Sequence, residues 1–222
     1  MPLRRTLILL AVLLFAACNK VSPPDTTAPA PSGPGQVKGA VTARDSGDPL
    51  VQVSVSFYSD NGEVSGQSAF TDSRGNFSIE LPAGKYRVLT NSATEAKPLG
   101  WNGYAPVWTN GELTDLDTQR FVVRTGTVST YDAVLPKVWS CSGRVVASGG
   151  SISQGNVTAV KFRDGTVFAS LPLPATGSYT FPLPDGEWQM QVDVPGFKQA
   201  VSTKFVVAGA PVTIPDVALS AA

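Results

Sequence analysis

Residues 71–88 read TDSRGNFSIELPAGKYRV, and residues 173–190 read LPATGSYTFPLPDGEWQM. The two stretches align without a gap, and a glycine, an aromatic residue, a proline, a second glycine and a second aromatic residue coincide. Shorter matches pair FVV at 121–123 with FVV at 205–207, and DAVL at 132–135 with DVAL at 216–219. The sequence therefore contains two copies of one folding unit.

The repeated stretch has the pattern of β-strands. Apolar and polar residues alternate over 77–81, which is typical of a strand with one buried face. A turn signal, Pro-Ala-Gly, follows at 82–84, and the alternation then resumes, so we expect a β-hairpin. The clearest strand extends from 51 to 57. In the second copy the alternation slips between Ala159 and Val160, which predicts a β-bulge.

Composition supports an all-β protein and excludes several kinds of chemistry. Of the 222 residues, 42% are apolar, 21 are glycine and 18 are proline, which indicates short strands joined by frequent turns. The chain has no histidine, so catalytic triads and metal sites that need histidine are excluded. Lysine plus arginine equal aspartate plus glutamate at 17 each, so no basic surface for nucleic acid is predicted. We expect no catalytic residues, no metal, no cofactor and no enzymatic activity.

A longer set of residues carries a resemblance to a known family. The set comprises Gly39, Gly47-Asp48-Pro49-Leu50, Thr71, Gly75, Phe77, Leu81, Pro82, Gly84 and Tyr86. It resembles the carboxypeptidase regulatory-like domain, one of the transthyretin-like, CnaB-like seven-stranded β-sandwiches. The resemblance implies a Greek-key sandwich of prealbumin type at 37–136, here called the first module, and a degenerate copy at 137–222, the second module. A fold of this kind says little about function.

The N-terminus has the features of an export signal. Arg4 and Arg5 precede an apolar run that ends at Ala17, which is too short to span a bilayer, so 1–17 is predicted to be a signal peptide. Residues 14–18, LFAAC, resemble the lipobox of bacterial lipoproteins. The resemblance implies cleavage before Cys18 and attachment of fatty-acid chains such as palmitate to it. An ordinary secreted protein with a free Cys18 thiol is the alternative.

A linker follows the anchor. Residues 21–36 contain five prolines and few charges, so 18–36 is predicted to be a disordered, semi-rigid stalk. Asn19 stands where a retention aspartate would mark an inner-membrane lipoprotein, which favours the outer membrane or the cell surface.

Trp101, Tyr104 and Trp108 form the candidate ligand site. They crowd a stretch rich in glycine and proline, which we interpret as absent from the second copy, and aromatic side chains on loops make good binding platforms. The alternative is that they cover the end of the core. Cys141 aligns with Val37, which predicts a buried thiol. The alternative is an exposed thiol that links two molecules of the protein.

These features predict a lipid-anchored, non-enzymatic protein of the cell envelope. Its two sandwiches would serve adhesion, envelope assembly or docking of another protein. The alternative is a carbohydrate-binding lipoprotein that uses the aromatic stretch. The expected partners are the membrane, through the anchor, and an unidentified envelope protein or glycan.

Overall fold

The computed structural model describes residues 32–60, 66–114, 119–148, 152 and 154–222. The signal peptide, Cys18 and most of the predicted stalk lie outside these residues. The predicted end of the stalk at 36 is wrong, because Gly35 and Gln36 already pair with Leu81 and Glu80 in the first strand, so the first module begins at 35. The described part of the first module contains nine strands: β1 (Gly35–Ala43), β2 (Ser54–Ser59), β3 (Gln67–Phe70), β4 (Asn76–Leu81), β5 (Gly84–Thr90), β6 (Val107–Trp108), β7 (Phe121–Val123), β8 (Val128–Thr130) and β9 (Ala133–Leu135). A short 3-10 turn, Thr109–Gly111, follows β6.

The described part of the second module also contains nine strands: β10 (Val138–Ala147), β11 (Asn156–Lys161), β12 (Val167–Pro172), β13 (Ser178–Pro184), β14 (Gly186–Asp193), β15 (Ala200–Val201), β16 (Phe205–Val207), β17 (Val212–Thr213) and β18 (Val217–Leu219). Only Pro136 and Lys137 separate β9 from β10.

Each module consists of two sheets around its own core. In the first, β1 pairs with β4, β8 and β9, while β2 pairs with β3 and β5, and β5 with β6 and β7. In the second, β10, β11 and β14 make the corresponding pairings, strand for strand. Separate hydrophobic clusters fill the two modules. The all-β class, the sandwich architecture and the structural repeat are confirmed.

The predicted hairpin is wrong. Strand β4 pairs with β1, whereas β5 pairs with β2, so the turn at 82–84 leads from one sheet to the other. Alternation identified the buried face of each strand but not its partner, since Leu81 and Tyr86 both point into the core from opposite sheets. The Tyr86 hydroxyl donates a hydrogen bond to the Pro82 carbonyl at 2.8 Å. Trp188 Nε1 does the same to Pro184 at 2.9 Å in the second module.

The strand predicted from 51 begins later, at Ser54. Gln52 has a φ of 57°, which ends the extended conformation, and Val51 is 46% exposed. The Thr71 backbone still bonds to this segment, since its carbonyl accepts from the Gln52 amide and its amide donates to the Val53 carbonyl, both at 3.0 Å. The Thr71 hydroxyl adds two bonds: it accepts from the Val53 amide at 3.0 Å and donates to the Leu50 carbonyl at 2.6 Å.

Two predictions for the second module are confirmed. The β11–β12 register shifts between Ala159 and Val160, as the slip in alternation predicted. Cys141 is fully buried, like Val37 at the corresponding position of β1. Burial raises the pKa of the Cys141 thiol to about 11. Over the described residues, the structure contains no helix with the length and apolar character needed to cross a bilayer.

Candidate functional site

The aromatic stretch lies on both sides of strand β6. Residues 91–106 connect β5 to β6, and residues 109–120 connect β6 to β7. Trp108 on β6 pairs with Leu89, just as Val201 on β15 pairs with Gln191 in the second module. Trp108 therefore has a counterpart, and the interpretation that it lies in a stretch absent from the second copy is wrong. The extra length consists of longer connections before and after this strand.

A buried hydroxyl follows the strand in both modules. The Val88 amide donates to Thr109 Oγ1 at 2.9 Å, and the Met190 amide donates to Ser202 Oγ at 2.9 Å. Each hydroxyl satisfies a strand amide that the short β6 or β15 does not reach. Sequence comparison missed this pair because the connections around it differ in length.

Asn91 organises the first connection. It is 2% exposed and has a φ of 66°, a conformation that asparagine tolerates better than most residues. Its side-chain nitrogen Nδ2 donates to Asn102 Oδ1 at 3.0 Å and to the Tyr104 backbone carbonyl at 2.8 Å. Its side-chain oxygen Oδ1 accepts from Trp101 Nε1 at 3.0 Å. The side chain of Asn91 thus fixes the orientation of the Trp101 indole.

The Trp101 ring is half-buried, and a cation lies over it. Lys97 Nζ is 4.4 Å from the centroid of Trp101 and 5.3 Å from that of Phe70. The same ammonium donates to the Gln52 carbonyl at 2.8 Å. Because Lys97 occupies one face of the ring, Trp101 offers a ligand at most its other face.

Trp108 lies on the outer face of the sheet that contains β2 and β5. Its ring centroid is 6.0 Å from that of Tyr58, and the Arg87 guanidinium is 6.0 Å from its ring. Trp108 is half-buried, as Trp101 is, and neither is a core residue. Within the part of the chain that the structure describes, no ring contact joins Trp101, Tyr104 and Trp108.

Tyr104 lies at the junction with the second module. It forms a β-bridge with Lys137, and its hydroxyl is 3.4 Å from Asp45 Oδ1. Asp45 also forms an ion pair with Lys137 at 3.4 Å. Partial desolvation and the Asp45 carboxylate raise the pKa of Tyr104. Desolvation opposes ionisation of Asp45, but backbone hydrogen bonds and the Lys137 ammonium outweigh it and lower the pKa of the carboxyl.

The connection makes further contacts with the second module. The Val138 amide donates to the Gly103 carbonyl at 2.9 Å, and the Ala105 amide donates to the Pro136 carbonyl at 2.8 Å. Leu99 packs against the core cluster of the second module. Leu113, which follows β6, packs against the clusters of both modules. The longer connections of the first module therefore supply much of its contact with the second, and the Asp45–Lys137 ion pair adds to it.

The described residues contain no group of three or more histidine, cysteine, aspartate or glutamate side chains placed to hold a metal ion.

The family comparison covers part of the first module. Residues 36–98 match the model of the carboxypeptidase regulatory-like domain, which confirms the resemblance carried by Gly39 to Tyr86. No curated protein matches the chain significantly in sequence.

Several solved structures are similar at low identity. A streptococcal ancillary pilin is 17% identical over 82% of this chain and 62% of its own, with a TM-score of 0.37. The minor pilin GBS52 of Streptococcus agalactiae is 11% identical over 85% of this chain and 97% of its own, with a TM-score of 0.37. The Bacillus anthracis TIE protein is 16% identical over 84% of this chain, with a TM-score of 0.34, and this chain spans only 34% of its length. At such scores, function has to be argued from this chain's own residues.

Proposed function

We propose that this protein is a lipid-anchored, non-enzymatic component of the cell envelope that presents two packed β-sandwiches to a protein partner. Cys18 carries the anchor, the proline-rich stalk holds the modules away from the membrane, and the outer membrane or cell surface is the site of attachment. Two or three acyl chains attached to one cysteine hold a protein to a membrane durably.

The packing between the modules is the observation that supports presentation as a pair. Leu113 contacts both cores, and Tyr104, Asp45 and Lys137 interact across the junction. A chain of two independent domains would need only a flexible link, whereas this one has long connections that fill the junction. A fixed arrangement lowers the entropic cost of binding one partner with both modules.

The anchor is tested with Cys18→Ser. Cells that express the full chain or this variant are labelled with radioactive palmitate, and the protein is recovered and sized. The proposal requires label on the wild type and an unlabelled, uncleaved precursor for the variant, because the modification needs the thiol. Equal labelling of both would contradict a lipid anchor at this residue.

Docking is tested with the chain without its anchor, residues 19–222, immobilised and exposed to detergent-solubilised envelope. We expect saturable capture of a protein that free 19–222 competes away. Capture that survives protease treatment of the envelope but not glycan removal would instead support the second candidate function.

That second candidate is carbohydrate binding, and the exposed edge of Trp108 beside Tyr58 is the observation in its favour. The second module supplies the matched substitution, because Val201 occupies the place of Trp108 there. If the outer face binds a glycan, Trp108→Val abolishes binding while the melting temperature changes little. Val201→Ala serves as the control on the second module. Acrylamide quenching of tryptophan fluorescence measures how open Trp101 and Trp108 are.

A further inference from the structure

Two adjoining depressions lie where the modules meet, and they share Leu113 and Asp185. The larger has a volume of about 470 Å³ and the smaller about 320 Å³. Together they are called the inter-module cleft. Its lining also includes Arg44, Lys137, Trp139, Lys161, Arg163 and Trp188. Clefts between domains are a preferred place for ligands, because both walls contribute contacts.

The floor of the cleft is apolar. Leu113 lies at its centre, and Pro184 and Trp188 are buried beneath it. Both tryptophans are largely covered: Trp188 is 1% exposed, while Trp139 packs against the core of the second module and has Lys137 Nζ 5.1 Å from its ring centroid. A sugar would stack on an open aromatic face, which this cleft offers little of, whereas apolar side chains of a peptide have Leu113 and Pro184 to pack against.

The carboxylates of the cleft are already engaged. Asp45 pairs with Lys137, Asp185 accepts from the Gly209 amide at 2.7 Å, and Glu187 accepts from Lys204 Nζ at 2.9 Å. Asp164 accepts from the Thr166 amide at 2.9 Å.

Three cations of the cleft, unlike its carboxylates, have no hydrogen-bond or ion-pair partner within the described part of the chain. Among the described residues, the side chains of Arg44, Lys161 and Arg163 make no hydrogen bond or ion pair. Lys161 lies near enough to Asp164, and Arg163 to Glu187, to help the hydrogen bonds of those carboxyls lower their pKa. Arg44 belongs to the first module, and Lys161 and Arg163 belong to the second. The side-chain hydrogen-bond donors that remain unused on both walls therefore belong to cations, and carboxylates are the acceptors that match them best.

We propose that the inter-module cleft binds an extended acidic peptide segment of the protein partner. Apolar residues of the segment pack on Leu113 at the floor, while its acidic residues reach Arg44 on one wall and Lys161 and Arg163 on the other. This inference rests on the proposed function of protein docking and adds where the partner binds and by which chemistry.

The probe is a fluorescein-labelled octapeptide of alternating Glu and Leu, and binding to residues 19–222 is followed by fluorescence anisotropy. The test variant is Arg44→Gln with Arg163→Gln. The control variant, Arg124→Gln with Arg144→Gln, removes two exposed arginines outside the cleft. We expect the test variant to bind roughly tenfold or more weakly, since charge-assisted hydrogen bonds are lost, and the control to bind as the wild type does. Affinity should also fall as salt is raised.

Three comparison probes test the sign of the charge, the need for apolar residues and the need for a peptide. A Lys/Leu octapeptide should not bind, a Glu/Ser octapeptide should bind more weakly, and polygalacturonate should compete poorly. No binding of the Glu/Leu probe, equal losses in the two double variants, or equally good binding of the Lys/Leu probe or polygalacturonate would overturn the cleft proposal. If the test variant still captures the envelope protein that the wild type captures, the cleft is refuted while docking stands. If the wild type captures no protein, docking itself fails.

Discussion

Replacing Gly100 by alanine tests the contact between the modules. Gly100 has a φ of 70°, and a Cβ built on it would lie 2.7 Å from Pro182 Cβ and 3.1 Å from Val138 Cγ2, both in the second module. Non-bonded Cβ atoms essentially never come within 3.0 Å of another heavy atom, so the contact with Pro182 cannot form without a shift. The substitution therefore forces the connection away from the second module or distorts the junction.

The expected loss of stability has two parts. Alanine with positive φ costs about 1–2 kcal/mol. Overpacking against Pro182 and Val138 adds about 1–3 kcal/mol, because a proline ring on a paired strand does not move aside easily. The total free energy of unfolding lost at Gly100 is thus about 2–5 kcal/mol.

Gly103→Ala separates the two parts. Gly103 has a φ of 85°, yet its added Cβ would have no heavy atom within 4 Å. This variant should lose only the first part, about 1–2 kcal/mol. Urea unfolding of residues 19–222, followed by tryptophan fluorescence and circular dichroism, gives both values under one set of conditions. Equal losses for the two variants would refute the reasoning, because they would mean that nothing in the second module lies against Gly100.

The remaining predictions concern the modules separately. Fragments 32–136 and 137–222 should each show β-type circular dichroism and cooperative melting, since each has its own sheets and core, but with lower melting temperatures than the whole chain; if neither folds, the two-domain division is wrong. Thr109→Val should cost about 1–3 kcal/mol, because the buried Val88 amide loses its acceptor, and a calorimetric melt unchanged from wild type would contradict that role. Cys141 should resist Ellman's reagent at pH 8 in the folded chain and react fully in urea, because burial holds its pKa near 11; rapid reaction of the native protein would show an exposed thiol.

Local patterns predicted the strands well and their partners poorly. The alternation at 77–81, the bulge at Ala159 and the burial of Cys141 all follow from side-chain period and alignment, and the structure confirms them. The hairpin failed because alternation says which side of a strand is buried and nothing about which strand lies beside it. Both sheets of a sandwich bury residues in one core, so a turn between sheets has the same pattern as a turn within one.

The candidate site shows a similar limit. Trp101, Tyr104 and Trp108 were grouped because they are close in sequence, but strand β6 and the Asn91 hydrogen bonds direct them to different neighbours. The inter-module cleft depends on residues far apart in sequence, such as Arg44 and Arg163. These two residues line adjoining depressions only because the two modules pack together, and no local sequence motif predicts that packing.

The packed junction holds the two sandwiches in one fixed arrangement. Residual dipolar couplings of amide groups in residues 19–222, measured in a dilute aligning medium, test it directly. With a fixed junction, couplings from β1–β9 and from β10–β18 should fit a single alignment tensor with the same magnitude and orientation. Two tensors of clearly different magnitude would mean that the modules move independently, and would contradict both the packed junction and the cleft that depends on it.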